Sequence, residues 1–220
     1  MAAQVIALLG AECTGKSTLA HALHTALSAR GLRVTWVPEI LRDWCQQHQR
    51  TPQAHEQAAI AQAQAMAIDA AAQDCDWVLA DTTPLITAIY SELLFGDNSL
   101  YPMALKFAQR CALHMLCATD LPWVADGLQR DGEAARLAFD TRLRTVLAHE
   151  RITYATILGQ DEARTQRAQR QLDATLWAQP SARSAPQVPW KWSCERCSDA
   201  RCEHQLFSIL IESCHTARPC

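Results

Sequence analysis

Eight residues near the start of the chain constrain its fold more than any other segment. Positions 10–17 read Gly-Ala-Glu-Cys-Thr-Gly-Lys-Ser and match the pattern G-x-x-x-x-G-K-[ST]. An apolar run at 5–9 precedes them and a helical pattern begins at Lys16, which is the context that a phosphate-binding loop requires. A chance turn between a strand and a helix is the alternative, and it rarely meets both conditions. The sequence therefore predicts a site for a nucleoside triphosphate.

Each part of this loop has a chemical role. Glycines let the backbone approach phosphates closely enough for successive N–H groups to face them. The helix N-terminus adds partial positive charge at the same place. We expect Lys16 to reach the β- and γ-phosphates of ATP and Ser17 to ligate Mg²⁺. The predicted ATP-binding residues are Gly10, Ala11, Glu12, Cys13, Thr14, Gly15, Lys16, Ser17 and Thr18.

The rest of the chain alternates short apolar runs with longer helical patterns. Strands are predicted at 5–9, 33–37, 77–81, 112–117 and 153–158, and helices at 16–29, 52–73, 85–95, 102–110, 133–150 and 161–178. Thr51 and Pro52 are predicted to begin the second helix, and Thr83 and Pro84 the third. Such alternation is typical of an α/β fold with a mostly parallel, five-stranded sheet.

The third predicted strand ends in Asp81. In phosphate-loop proteins an aspartate at this place holds Mg²⁺ through water, because a hard cation prefers oxygen ligands. The alternative is that Asp81 only caps the turn into Thr82, Thr83 and Pro84. The loop upstream favours the magnesium role.

Composition narrows the class of protein. The chain has no run of eighteen apolar residues and no signal-peptide pattern, so we expect a cytoplasmic protein that does not associate with membranes. A formal net charge of −3 argues against a nucleic-acid partner, since such binding depends on neutralising phosphates. The oligomeric state has no signature in the sequence.

The last part of the chain differs from the rest. Three prolines at 179–189 predict a linker between a domain at 1–178 and a cysteine-rich tail at 190–220. The tail reads C-x₂-C-x₄-C-x-H, which suits a structural zinc site. Free thiols in an irregular tail, or an amphipathic helix at 204–213, are the alternatives. The candidate zinc ligands are Cys194, Cys197, Cys202 and His204.

Four segments together resemble the NadR-like ribosylnicotinamide kinases, a family of the AAA-type P-loop group. The phosphate loop is one. Glu39, Arg42 and Asp43 are similar to the family's Glu-x-x-Arg-acidic element, and 81–87 to its Asp-Thr-Asp segment, which precedes an aromatic-rich helix. Residues 120–128 resemble the stretch before the family's lid. The resemblance covers about 4–175 and implies a P-loop kinase-like, three-layer fold.

The resemblance also implies an activity. The family transfers the γ-phosphate of ATP to the 5′-hydroxyl of a nucleoside, and it converts nicotinamide riboside to nicotinamide mononucleotide in NAD metabolism. On this basis Glu39 accepts the hydroxyl proton or holds the ribose, and Arg42 stabilises phosphate charge. Trp123 stacks on the base and Asp126 binds ribose hydroxyls. The implied catalytic residues are Lys16, Glu39, Asp81 and Arg130, with Arg136 as a second candidate lid arginine.

These assignments have plainer alternatives. Glu39 and Arg42 could be a surface helix pair, and Trp123 could fill the core. Arg130 and Arg136 could be solvated charges in an exposed loop.

Two departures from the family pattern bear on its activity. Gln129 stands where the family usually has an arginine, although Arg130 follows directly. Thr83 replaces the second acidic residue of Asp-Thr-Asp. We also expect no adenylyltransferase activity, because the His-x-Gly-His element of that domain in full-length NadR is missing.

Three functions compete at this point. The leading prediction is a small-molecule kinase. A regulatory ATPase is the second, in which nucleotide binding moves a lid and the cysteine-rich tail binds a partner protein. A nucleic-acid-associated protein with a zinc knuckle is the third, and acidic residues interspersed among the tail's few basic residues disfavour it.

Overall fold

The computed structural model describes residues 3–124 and 132–176 of the 220-residue chain. One sheet lies at its centre, with the strand order β2-β3-β1-β4-β5 and with every neighbouring pair parallel. The strands are β1 (Gln4–Leu9), β2 (Val34–Val37), β3 (Trp77–Asp81), β4 (Leu113–Cys117) and β5 (Ala155–Ile157). The predicted α/β fold with a five-stranded parallel sheet is confirmed.

Helices connect these strands. They are α1 (Lys16–Ala29), α2 (Ile40–His48), α3 (Gln57–Ala71), α4 (Pro84–Phe95), α5 (Tyr101–Gln109), α6 (Glu133–His149) and α7 (Asp161–Leu176). The start of α4 is as predicted, with Thr83 extended at the N-cap and Pro84 in the first turn. Gly96 ends the same helix in the left-handed conformation.

The sheet is covered on both faces, which explains why its strands are apolar along their whole length. Ile6 and Leu8 of β1 face α1 and α7, and they pack in a cluster with Leu23. Ala7 and Leu9 point to the other face, where α4, α5 and α6 supply a second cluster. Alternate residues of one strand therefore serve two cores, and the molecule has three layers.

Two details of the predicted helices were wrong. The structure contains α2, which is not among the predicted helices. Its apolar stripe is short, with Ile40, Leu41, Trp44 and Cys45 in a helix of nine residues, and only Cys45 is buried. The helix predicted from Pro52 begins later, at Gln57. Pro52 is buried, and a 3₁₀ turn at Ala54–Glu56 comes first, in which Glu56 accepts a hydrogen bond from the Gln53 N–H at 2.7 Å.

Several predictions fall outside the described residues. These are the lid positions Asp126, Gln129 and Arg130, the linker at 179–189, and the domain boundary at 178 with the tail at 190–220. The zinc ligands Cys194, Cys197, Cys202 and His204 belong to that tail and stay a prediction. Within 3–124 and 132–176, no group of three or more His, Cys, Asp or Glu side chains is placed to hold a metal. No helix in those ranges is long and apolar enough to span a membrane.

Candidate active site

A cavity of about 290 Å³ opens at the carboxyl edge of the sheet, beside the loop that follows β1. Ligands of open parallel sheets bind at this edge, because loops and helix N-termini converge there. Its lining includes seven residues of the phosphate loop and the first turn of α1, which are Glu12, Cys13, Thr14, Gly15, Lys16, Ser17 and Thr18. Glu39 and Arg42 form part of another wall.

The phosphate loop has the backbone that its glycines predict. Gly10 has a φ of +144°, and a Cβ there would lie 2.8 Å from the Cys117 carbonyl oxygen. Gly15 has a φ of +71°, and its Cβ would lie 2.9 Å from Leu121 Cδ1. Any other residue would be strained at both positions, and at Gly10 its Cβ would also collide with the backbone. The loop therefore depends on glycine for its conformation and its packing.

Lys16 is the principal cation of the loop. It is 7% exposed, and its Nζ donates a hydrogen bond to the Ala11 carbonyl oxygen at 2.8 Å. Thr14 Oγ1 donates to the same carbonyl at 2.8 Å. The ammonium group is thus folded back onto the loop, within reach of the cavity that it lines. A phosphate chain in the cavity would compete with Ala11 for this donor.

Glu39 and Arg42 pair with each other beside the phosphate loop. Arg42 Nη2 donates to Glu39 Oε2 at 2.8 Å, and Arg42 Nη1 donates to Ser17 Oγ at 2.8 Å. Glu39 is the N-cap of α2 and lies three residues before Arg42, and its side chain is only 12% exposed. Burial raises the pKa of the Glu39 carboxyl, while the charges of Lys16 and Arg42 oppose that rise.

A side chain of α3 forms hydrogen bonds with the backbone on either side of Glu39. Gln64 is buried, and its Oε1 accepts a hydrogen bond from the Ile40 N–H at 2.8 Å. Its Nε2 donates to the Pro38 carbonyl oxygen at 3.2 Å. The Gln64 side-chain amide therefore fixes the backbone on both sides of Glu39, between the end of β2 and the start of α2. This fixes the direction in which the carboxylate leaves the backbone.

Asp81 is fully buried at the end of β3. Within the described part of the chain, neither carboxylate oxygen has a hydrogen-bond partner, and Arg42 Nη1 lies 4.0 Å from Oδ2. A buried carboxylate without donors is costly, so its retention points to a missing positive group. Oxygen ligands suit Mg²⁺. Asp81 and the nearby Ser17 hydroxyl, both contacted by Arg42, therefore fit a magnesium ion.

Trp123 lies against the outer side of the phosphate loop. Its Nε1 donates to Glu12 Oε1 at 2.8 Å, so the ring is neither free in solvent nor a core residue. The neighbouring Val124 N–H donates to Cys13 Sγ at 3.4 Å. Leu121 packs on Gly15. Residues 121–124 thus run along the phosphate loop, and Trp123 is not among the residues that line the cavity.

The structure places Arg136 away from the cavity. It is 2% exposed on α6, where Nη2 donates to the carbonyl oxygens of Thr119 and Leu121 and Nε lies 3.8 Å from Glu133. It therefore holds the segment before the lid and is not a solvated charge. Asp126 and Arg130 lie in the stretch that is not described.

Several cavity residues carried no signal in the sequence. Gln57 is buried at the start of α3, and its Oε1 has no partner among the described residues. Tyr90 and Leu94 belong to α4, an aromatic-rich helix for which the sequence predicted no role in binding. These side chains reach the cavity from separate helices, which spacing along one segment does not reveal. The remaining contributors are Leu41, Cys45, Thr51, Pro52 and Ile86.

Comparison with known proteins agrees with this fold. A protein-family model described as an AAA domain matches residues 5–164. A crystal structure of NadR protein in complex with NR has a TM-score of 0.62 at 18% identity. A structure of NadR protein in complex with NAD and AMP-PNP also has a TM-score of 0.62, at 19% identity. Each covers 79% of this chain, which spans only 50% and 49% of the two NadR chains. No curated protein matches the sequence.

Proposed function

The chain belongs to the AAA domain family, and on that premise we propose that it transfers the γ-phosphate of ATP to the 5′-hydroxyl of a nucleoside. Nicotinamide riboside, which would give nicotinamide mononucleotide, is the proposed acceptor. One observation carries the proposal: a phosphate loop and a buried carboxylate of raised pKa line the same 290 Å³ cavity. A protein that only binds ATP has no need of the second feature.

The two walls of the cavity divide the reaction between them. The phosphate loop and Lys16 hold the phosphate chain, because N–H groups and an ammonium group complement its charge. Glu39 and Arg42 face the acceptor. In this arrangement both substrates approach from opposite sides of the Ser17 hydroxyl, which Arg42 contacts at 2.8 Å. Positioning of this kind supplies much of the rate of phosphoryl transfer.

The transfer itself is an in-line displacement. The acceptor's 5′-oxygen attacks the γ-phosphorus, so that a new O–P bond forms while the bond to the β–γ bridging oxygen breaks. ADP leaves with that electron pair, and the hydroxyl proton passes to the Glu39 carboxylate. Burial makes Glu39 a better base than an exposed glutamate, because its pKa is raised. Arg42 and Arg130 are the proposed partners of the charge on the transferring group.

Ser17 and Asp81 are the proposed ligands of magnesium. When bound, Mg²⁺ neutralises phosphate oxygens and favours departure of ADP. The buried, unpartnered oxygens of Asp81 within the described chain support this assignment. Arg42, which now contacts Ser17, can turn toward phosphate because its side chain is 48% exposed.

The acceptor wall supports a flat, partly apolar substrate. Tyr90, Leu94 and Ile86 offer apolar surface, while Glu39 and Gln57 offer oxygen acceptors for hydroxyl or amide N–H groups. A nucleoside combines a flat base with ribose hydroxyls and matches this mixture. Asp126 and Trp123 remain the proposed contacts to the ribose and to a base.

ADP release by the purified chain tests this function. We expect release from Mg-ATP to rise at least tenfold on addition of nicotinamide riboside. Other nucleosides, such as adenosine, cytidine and uridine, should give a smaller rise in ADP release. Mass spectrometry should detect the 5′-phosphorylated product. Slow hydrolysis that no nucleoside accelerates would overturn the kinase and favour the regulatory ATPase.

A further inference from the structure

Arg164 on α7 is a buried cation that the proposed reaction does not use. Its side chain is 5% exposed, and it lies outside the lining of the cavity. No motif in the sequence distinguishes it from the other arginines of α7. Burying a guanidinium is costly unless its N–H groups are satisfied. Both terminal nitrogens of Arg164 donate hydrogen bonds, while Nε has no partner among the described residues.

Those contacts join three loops at the carboxyl edge of the sheet. Nη2 donates to the Thr14 carbonyl oxygen at 2.7 Å, inside the phosphate loop after β1. Nη1 donates to Asp120 Oδ1 at 2.9 Å, after β4, and to the Gly159 carbonyl oxygen at 2.8 Å, after β5. One planar group therefore ties together segments that are distant in sequence.

Asp120 completes the arrangement. Its second oxygen, Oδ2, accepts a hydrogen bond from the Gly159 N–H at 2.6 Å. Burial alone would raise the pKa of Asp120, but the Gly159 N–H and Arg164 together keep it below the ordinary value. Asp120 is thus an anion at neutral pH, and it fixes the guanidinium in the plane that reaches Thr14.

The Thr14 carbonyl has particular importance in this loop. Where successive N–H groups of a loop converge on phosphate, the carbonyl groups must point the other way. A carbonyl oxygen that turned inward would repel the phosphate chain and remove a donor. Thr14 precedes Gly15, which has a φ of +71° and is the N-cap of α1. Rotation of the peptide between them would therefore move both the Thr14 carbonyl and the start of the helix.

We propose that Arg164, oriented by Asp120, is a positioning residue for the phosphates of ATP. Its guanidinium holds the Thr14 carbonyl on the outer side of the loop, and the loop N–H groups therefore stay turned toward the phosphate chain before ATP arrives. The guanidinium also packs behind Gly15, where Nε lies 4.0 Å from the position of a Cβ. This inference rests on the proposed function, since it assigns a role within the same site.

Isothermal titration calorimetry with ADP and with inorganic tripolyphosphate tests the proposal. We expect Arg164→Met to raise the Kd of both ligands at least tenfold. The factor should be the same for both, because the substitution affects only the loop that binds their phosphates. Arg164→Lys keeps the charge but cannot make the planar contacts, so a loss of three- to tenfold is expected. Asp120→Asn should resemble the lysine variant. In the kinase assay, KM for ATP should rise in these variants while KM for the acceptor stays constant.

A merely structural role would give a different pattern. It would lower the thermal midpoint and the fraction of molecules that bind, while those still folded kept the wild-type Kd. Arg144→Met is the matched control, since Arg144 also pairs with an aspartate, Asp140, on α6 at 2.7 Å. Its Kd should equal that of the wild type.

The remaining outcomes are also decisive. If Arg164→Met does not fold, the lysine and asparagine variants carry the test. An unchanged Kd in these folded variants would overturn the positioning role and leave the kinase intact. If the wild type bound neither ADP nor tripolyphosphate, both the kinase and this inference would be wrong.

Discussion

The two walls of the cavity are built in different ways. The phosphate wall is backbone from one continuous segment, with Gly10 and Gly15 in conformations that only glycine adopts easily. The acceptor wall consists of side chains from α2, α3 and α4. A local sequence motif determines the backbone conformation of the phosphate wall. The positions of side chains that converge from three helices depend instead on the tertiary fold. In the proposed function, the first wall binds the phosphates that all nucleoside triphosphates share, and the second selects the acceptor.

Loss of the cation on the phosphate wall should have the largest effect. We expect Lys16→Ala to reduce kcat/KM at least about 1,000-fold, because its charge complements the transferring group. ADP release in the presence of acceptor measures it. The matched control is Lys106→Ala, since Lys106 is exposed on α5 and should leave the rate unchanged. If Lys16→Ala still turned over ATP, the assignment of the loop would be incorrect.

Removal of the proposed general base, Glu39, should lower the rate of transfer without weakening nucleotide binding. Glu39→Gln should lower kcat about 100- to 1,000-fold while the Kd for ADP changes less than threefold. The wild-type rate should fall as the pH drops through the raised pKa of Glu39, because only the ionised carboxylate accepts the proton. This acidic limb should lie above the ordinary glutamate range and should be missing in Glu39→Gln.

Glu150→Gln provides the control for that experiment. Glu150 follows α6 and pairs with His149 outside this cavity, so both its kcat and its acidic limb should match the wild type. An unchanged acidic limb in Glu39→Gln would assign the base to another residue and leave Glu39 with a binding role.

Asp81 is buried beside Arg42 of the acceptor wall, and a change at Asp81 should move stability and activity in opposite directions. Asp81→Asn should reduce kcat about 100-fold at saturating ATP, because a magnesium ligand loses its charge. It should also stabilise the fold by roughly 1–2 kcal/mol, since the buried carboxylate has no hydrogen-bond donor within the described residues. Urea denaturation and the magnesium dependence of kcat measure the two effects.

Asp74→Asn is the control for Asp81, as Asp74 is exposed just before β3. It should alter neither the denaturation midpoint nor the magnesium dependence. Destabilisation of Asp81→Asn with unchanged magnesium dependence would mean that the carboxylate is structural.

The contrast between the walls also explains how far the sequence predicts this protein. The parallel sheet, the phosphate loop and the place of Asp81 at the end of β3 follow from local patterns, namely apolar runs, paired glycines and a strand-terminal acid. The helix α2 was not predicted, because its apolar stripe is confined to one short helix of nine residues. The roles of Arg164 and Gln57 could not be predicted from the sequence for a further reason. Each acquires its role only when loops or helices distant in sequence meet.

Gln57 offers the smallest and most selective test of the acceptor wall. Its Oε1 is buried without a partner in the described part of the chain and belongs to the cavity lining, so a donor group on the acceptor can satisfy it. Gln57→Leu should raise KM for the acceptor about tenfold and leave KM for ATP unchanged. Because an unsatisfied buried acceptor is lost, stability should not fall. Gln62→Leu, exposed on the same helix, should leave both KM values unchanged. An equal rise in both KM values for Gln57→Leu would contradict a division of the cavity into two independent walls.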